Sequence, residues 1–271
     1  MYSTLHGIAT GGKVKTMDEI AQSICEVCGG TGWEVVHEGN ISRARRCNCA
    51  RTNAGDRFFT SAKIPPRYAS CEFEDYLPQS FNQGKVKTIV ENYTSDYPLL
   101  DEEVFRESSL LLIGGSGRGK THLAVAVLKG LLNKGVPCLF VDFHELLSEI
   151  RNSYDPLSQA SEFQILRPLL NIEVLLLDDL GSQRMSDWVQ DTVFHVINLR
   201  YSQKKTVIAT TNLGMEPARK STTEDTLQDR LGYRVISRLY EMCTFLELDG
   251  PDYRKDVRKA GGDFLRSRNE E

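Results

Sequence analysis

The run Leu110-Leu111-Leu112-Ile113 passes directly into Gly114-Gly115-Ser116-Gly117-Arg118-Gly119-Lys120-Thr121, and this join constrains the fold more than any other part of the chain. An apolar run of this kind suits a strand buried on both faces. The segment after Thr121 sets Leu123, Val127 and Leu131 at helical spacing. Strand, glycine-rich loop and helix together match G-x-x-x-x-G-K-[ST], the phosphate-binding loop. Glycines let successive backbone N–H groups curl inward onto phosphate oxygens, and the helix aims its partly positive N-terminus at the same point. Gly114, Gly115, Ser116, Gly117, Arg118 and Gly119 are the expected cradle. Lys120 is expected to reach the β- and γ-phosphates, and the Thr121 hydroxyl to ligate Mg²⁺. The pattern therefore predicts binding of a nucleoside triphosphate with Mg²⁺.

The chain beyond this unit alternates apolar runs with amphipathic stretches. Strands are expected at 109–113, 137–141, 173–178, 206–210 and 243–248, with helices near 121–133, 143–153, 160–170, 187–201 and 226–240. Val86, Ile89 and Val90 add a helix ending near Tyr97-Pro98. This rhythm predicts an α/β fold with a central parallel sheet flanked by crossover helices. Cys71, Cys138 and Cys243 read as small core or near-core residues.

Two further strands carry polar tips. Val174-Leu175-Leu176-Leu177 ends in Asp178-Asp179, at the end of a parallel strand where ligands bind. Asp178 is expected to hold Mg²⁺ and Asp179 to orient or activate an attacking water. Thr206-Val207-Ile208-Ala209-Thr210 is followed by Thr211-Asn212, and Asn212 is a second candidate for positioning that water. Arg230, Arg234 and Arg238 recur every four residues and are expected on one helical face, with Leu227, Leu231, Val235 and Leu239 packing inward beside them. Such a row is either a solvated face or a set of arginines offered to phosphate.

The N-terminal part is different in kind. Cys25-x2-Cys28 and Cys47-x-Cys49 supply four thiolates in two tight pairs, the donor set of a closed structural Zn²⁺ site, with His37 between them as a possible substitute ligand. A module of about 45 residues buries little core, so metal would supply most of its folding free energy, on the order of 10 kcal/mol. Trp33, Val35 and Val36 before Glu38-Gly39-Asn40, and Ile41 after it, predict a hairpin between the pairs. Thr16-Met17-Asp18-Glu19 has capping-box spacing and predicts a short helix from Met17 to about Cys25. Arg43, Arg45, Arg46, Arg51, Arg57, Lys63 and Arg67 face Asp56 alone, which suits a solvated linker as well as a contact surface for DNA or an acidic partner. Pro65-Pro66 marks a boundary. The expected division is a zinc- and partner-binding module at 1–60, the ATPase domain at 61–256 and a tail at 257–271.

Composition narrows the functional classes. A net charge of −4 implies no bulk attraction to nucleic acid, so any such contact needs a local patch. No apolar stretch approaches the ~18 residues of a membrane span, and residues 1–15 lack the apolar core of a signal peptide. A cytoplasmic protein with no membrane partner is expected.

Taken together, the phosphate loop, the LLLDDLG segment, the VIATTN segment and the GYRVISR and DGPDYR segments resemble the DnaC/DnaI-type replicative helicase loaders. These are AAA+ ATPases related to the IstB transposition helpers. Ile64-Pro65-Pro66-Arg67-Tyr68 followed by Phe73 is similar to the lead-in of that family, and the cysteine module is similar to the zinc-binding region of many loaders. The resemblance implies Lys120 and Thr121 in Walker A, Asp178 and Asp179 in Walker B, and Asn212 as sensor 1. It implies Arg238 as an arginine finger acting on a neighbouring subunit, with Arg234 nearby, and Arg254 as the sensor-2 arginine. Asp179 departs from the glutamate of most AAA+ enzymes and is one methylene shorter, which implies slow hydrolysis. The expected function is an ATP-dependent replication accessory factor that binds ATP·Mg²⁺ and single-stranded DNA, self-associates and loads a replicative helicase. The alternatives are an IstB-like transposition helper and a nucleotide-gated adaptor with little hydrolysis.

Overall fold

The computed structural model describes residues 33–38, 41–46, 61–97, 108–154, 161–183, 186–216 and 225–257. The chain divides into two units, residues 1–54 and 55–271. In the first, β1 (Trp33–Glu38) pairs antiparallel with β2 (Ile41–Arg46), and Glu38 lies opposite Ile41. This is the hairpin the sequence predicts. The helix expected at Met17–Cys25, the cysteines Cys25, Cys28, Cys47 and Cys49, the side chain of His37 and the tail beyond residue 257 lie outside the described residues.

In the second unit α1 (Phe81–Asp96) leads into β3 (Ser109–Ile113), then α2 (Lys120–Asn133), β4 (Cys138–Asp142) and α3 (Phe143–Asn152). There follow α4 (Glu162–Asn171), β5 (Val174–Asp178), α5 (Asp187–Ser202) and β6 (Thr206–Thr211). The last elements are α6 (Leu227–Leu231), α7 (Tyr233–Met242) and β7 (Cys243–Glu247). The strands form one sheet in the order β4-β5-β6-β3-β7, every pair parallel.

The period of two along each strand sends alternate side chains to opposite faces. Leu111, Ile113, Leu175, Leu177, Val207 and Ala209 join the core built with α3, α4, α5 and α7. Leu110, Leu112, Leu176 and Ile208 join the core built with α1 and α2. Both faces are covered, which is why these strands read as unbroken apolar runs. Cys71, Cys138 and Cys243 are all buried, as expected. At the β4 edge the backbone N–H of Phe140 donates to the Ala62 carbonyl at 2.8 Å, so the segment before α1 lies along that edge.

Two features depart from simple periodicity. The single helix expected at 226–240 is two, because Gly232 takes φ 80° between α6 and α7. Arg200 of α5 is fully buried, and among the described residues it has no carboxylate partner. Its Nη1 donates to the carbonyls of Leu169 and Ile172 at 2.7 and 2.9 Å, and its Nη2 to those of Glu173 and Thr206 at 2.7 and 2.6 Å. Four carbonyls at the end of α4 and the entries to β5 and β6 are thereby satisfied by one guanidinium.

Candidate nucleotide site

The loop after β3 is shaped by contacts that leave no room for side chains. Gly117 has φ 74°, and a Cβ there would stand 1.8 Å from Asp252 Oδ1. Gly119 has φ 87°, caps α2, and a Cβ there would stand 2.4 Å from the Tyr76 ring. L-residues rarely adopt this backbone region, so sterics and dihedral preference demand glycine twice over. The loop is anchored at both ends of its curve. Gly114 N donates to the Thr211 carbonyl at 3.2 Å, and Tyr253 N donates to the Gly117 carbonyl at 3.0 Å.

Parallel pairing of β3 with β6 and of β6 with β5 brings their C-terminal tips together at this loop. Lys120 is buried, and its Nζ donates to the Gly115 carbonyl at 2.9 Å and to Asn212 Oδ1 at 2.6 Å. Asn212 Nδ2 in turn donates to Asp179 Oδ1 at 2.5 Å. A second set of bonds centres on Asp178, whose Oδ1 accepts from Thr121 Oγ1 at 2.8 Å and from Thr210 Oγ1 at 2.7 Å. Thr210 Oγ1 also accepts from Asp179 N at 2.9 Å, so one hydroxyl ties the two aspartates to the tip of β6. Asp179 itself stands at φ 59°, a region Asp tolerates better than most residues.

Electrostatics follow from this burial. Desolvation pulls the Lys120 ammonium down to about 8, against the attraction of Asp179 and Asp178 and with Arg118 and Arg254 adding to the lowering. Burial raises the Asp178 carboxyl above the usual range, its hydroxyl donors Thr210 and Thr121 oppose the shift, and the Asp179 charge adds to it. A buried ammonium and a buried carboxylate thus line one cleft beside the glycine loop. Lys120 and the loop amides fit phosphate oxygens; Thr121 and Asp178 fit a hard divalent cation.

These groups line a cleft of about 690 Å³. Ser116 to Thr121, Asp178, Asp179, Asn212 and Arg254 all reach it, so the structure gathers most of the predicted site residues in one place. Gly114 and Gly115 stand behind it as the entry to the loop. Several wall residues had no signal of their own in the sequence. Thr210 needed the strand order; Tyr76 and Gln83 needed the path of the segment before α2. The Tyr76 hydroxyl donates to the Arg118 carbonyl at 3.2 Å, and Gln83 Nε2 donates to the Asp249 carbonyl at 2.8 Å.

The arginine row is arranged otherwise than its spacing predicts. The break at Gly232 separates Arg230 from the other two, and its Nε donates to Asp225 at 2.8 Å. Arg234 and Arg238 share a face of α7 that lies on α5. Arg234 pairs with Asp191 at 2.5 Å and covers the Phe194 ring at 4.4 Å, whereas Arg238 covers the Tyr201 ring at 4.6 Å and donates to Asn198 Oδ1 at 3.3 Å. None of the three lines the cleft of its own chain.

The profile of the family described as IstB-like ATP binding protein matches residues 54–261. The chain belongs to this IstB-like family. The cleft and its phosphate loop lie inside the matched residues. Relatives of this IstB-like chain include the replicative helicase loader DnaC of Escherichia coli K12, 27% identical over 183 residues that cover 68% of each protein. The phage-like element PBSX protein XkdC of Bacillus subtilis 168 is 25% identical over 248 residues, 88% of this chain and 86% of that one. The crystal structure of the DnaC helicase loader superposes with a TM-score of 0.57 at 32% identity, covering 68% of this chain and all (100%) of that chain. The DnaI crystal structure, at 23% identity and a TM-score of 0.54 over 70% of this chain and 94% of its own, shares the fold. The IstB-like chain is thus a relative of the DnaC-type loaders, with their α/β architecture of a five-stranded parallel sheet flanked by helices. Among the described residues no helix is long and apolar enough to cross a membrane.

Proposed function

We propose that this IstB-like chain is an ATP-dependent replication accessory factor that binds ATP·Mg²⁺ and single-stranded DNA and loads a replicative helicase. The observation that carries this is the pair of bonded sets meeting in one cleft, Lys120–Asn212–Asp179 and Thr121–Asp178–Thr210. The kinship with DnaC supports the choice of partner.

In this account Lys120 leaves Asn212 for the β- and γ-phosphates, and the loop amides hold the remaining oxygens. Mg²⁺ held by Thr121 and Asp178 would neutralise charge that builds on the transferred phosphoryl group. Asn212, released by Lys120, keeps its bond to Asp179 and orients the attacking water with it. Asp179 Oδ2 receives the proton of that water. Arg254 meets the phosphates from the far wall. Arg238 is presented to the site of a neighbouring copy, where a guanidinium supplied in trans raises hydrolysis ~10³–10⁵-fold in other NTPases. Cys25, Cys28, Cys47 and Cys49 hold a structural Zn²⁺ in a module that grips the helicase. The support for the metal is the ligand spacing alone.

A second account, a nucleotide-gated adaptor with little turnover, draws on Asp179. Its carboxylate is one methylene shorter than glutamate and is already bonded to Asn212. The deciding experiment measures steady-state ATP hydrolysis by the full chain with and without single-stranded DNA, alongside transfer of a hexameric replicative helicase onto a single-stranded circle. DNA-stimulated turnover with helicase transfer is the expected result. Transfer that needs ATP but proceeds without turnover selects the adaptor, and absence of transfer removes the loader.

A further inference from the structure

The segment ahead of α1 brings an arginine and a tyrosine to the cleft from the β4 side. Pro66–Tyr68 forms a single 3₁₀ turn, and both Arg67 and Tyr68 line the cleft. The Tyr68 ring is buried and packs on Phe140 of β4, with centroids 5.8 Å apart. Its hydroxyl accepts a hydrogen bond from the Arg67 guanidinium, which also covers the ring at 4.4 Å. Tyr68 lines the cleft together with Thr121 and Asp178, the two groups fitted to a divalent cation. Arg67 is exposed. Among the described residues it has no carboxylate partner, in contrast to Lys129 on Glu72, Arg230 on Asp225 and Arg234 on Asp191.

A guanidinium carries five donors, and the bond to Tyr68 uses one. The remainder belong to an exposed side chain that lines the cleft Thr121 also lines. A phosphate on that side offers the planar, charge-assisted pairing for which arginine is suited. Thr121 and Asp178 would hold a cation that neutralises charge on the transferred phosphoryl group, and Arg67 lines the same cleft, so the terminal phosphate is the one its guanidinium would meet.

We infer that Arg67, positioned by Tyr68, contacts the terminal phosphate within its own chain and sets the preference for nucleoside triphosphate over diphosphate. This rests on the ATP·Mg²⁺ site proposed above. Arg67 is a phosphate contact and Tyr68 a positioning residue that holds the guanidinium against the cation wall.

The test titrates the full-length protein with fluorescent N-methylanthraniloyl ATP and ADP in Mg²⁺, for wild type, Arg67→Ala, Arg67→Lys and Tyr68→Phe. Arg67→Ala is expected to lose about 10- to 100-fold in ATP affinity, the span of a charge-assisted contact, with ADP affinity within about twofold of wild type. Arg67→Lys is expected to fall between, and Tyr68→Phe to lower the ATP:ADP ratio in the same direction by less. Equal loss for both nucleotides, or no loss for either, overturns the inference while leaving the nucleotide site in place. Wild-type protein that binds neither nucleotide overturns the site itself and the inference with it. Because Arg67 is exposed, its two variants read the ratio even where Tyr68→Phe disturbs folding.

Discussion

Lys120 and Asn212 are joined directly: the ammonium donates to the amide oxygen at 2.6 Å, and the amide hands the connection on to Asp179. The cation meant for phosphate is thus engaged with the group that holds the candidate base. Its ammonium is also lowered to about 8, chiefly by burial. An anionic ligand raises it again, so nucleotide affinity is greatest below pH 8 and declines as pH climbs past that value. In the ligand-free fold the sign for stability is the reverse. The folded value lies below the ordinary 10.5, so the unfolded chain binds more protons between about 8 and 10.5, and this group alone makes the fold more stable across that window. Affinity measured from pH 7 to 9, with calorimetry in two buffers of different ionisation enthalpy, should show proton uptake on binding near pH 8. Lys120→Arg should abolish that uptake.

Thr210→Val should separate the two aspartates. It removes the hydroxyl that donates to Asp178 and accepts from Asp179 N while keeping the shape of the strand tip. A buried carboxylate short of a donor and an amide short of an acceptor cost about 1–3 kcal/mol each at most. Thermal denaturation should show a lower Tm, and Mg²⁺ should strengthen nucleotide binding less than in wild type. Thr210→Ser should restore both.

Gly117→Ala should disable the loop for two separable reasons. The added methyl meets Asp252 Oδ1 at 1.8 Å, and φ 74° is a costly backbone for alanine. Removing the carboxylate in the double variant Gly117→Ala/Asp252→Gly relieves the first and leaves the dihedral strain, about 1–3 kcal/mol. Nucleotide titration should therefore find the single variant inactive in binding and the double variant only partly recovered.

Arg200→Met should be among the most destabilising single changes in the domain. Four carbonyls lose their donor at once, and lysine has no planar fork to replace it. Urea denaturation should show a loss of at least about 3 kcal/mol, since each buried carbonyl left without a donor costs about 1–3 kcal/mol, with Arg200→Lys recovering little of it. Nucleotide affinity of the fraction that remains folded should be unchanged, because Arg200 does not reach the cleft.

Arg238→Ala should leave nucleotide affinity of the isolated chain intact and lower hydrolysis only when copies associate. The side chain lies over Tyr201 and on Asn198, away from its own cleft. Turnover measured against protein concentration should rise steeply for wild type and stay flat for the variant. Parallel curves would remove Arg238 from the reaction.

The sequence exposed some of this architecture and hid the rest for identifiable reasons. Lys120, Thr121 and Asp178 were legible because each sits where an apolar run ends, and a strand buried on both faces leaves a plain signature. The break at Gly232 was not legible. Leu227, Leu231, Val235 and Leu239 keep their four-residue interval across it and are all buried. Periodicity therefore reported which side chains face the core, and α6 and α7 satisfy it with two separate axes. The places of Thr210 and Tyr68 in the cleft were hidden for another reason, although both lie in segments that carry the family resemblance. Their importance arises from β5 lying beside β6, and from a non-repetitive segment crossing near Thr121, and neither adjacency leaves a local pattern.

The carbonyl of Ala62 on the N–H of Phe140 has an architectural consequence. A bare outer strand invites another chain to extend the sheet by backbone pairing, and proteins avoid uncontrolled stacking by covering it. Here the polypeptide tucks its own approach route against that margin. If copies associate, this bond opposes strand-to-strand joining at β4 and favours meeting through helices and loops.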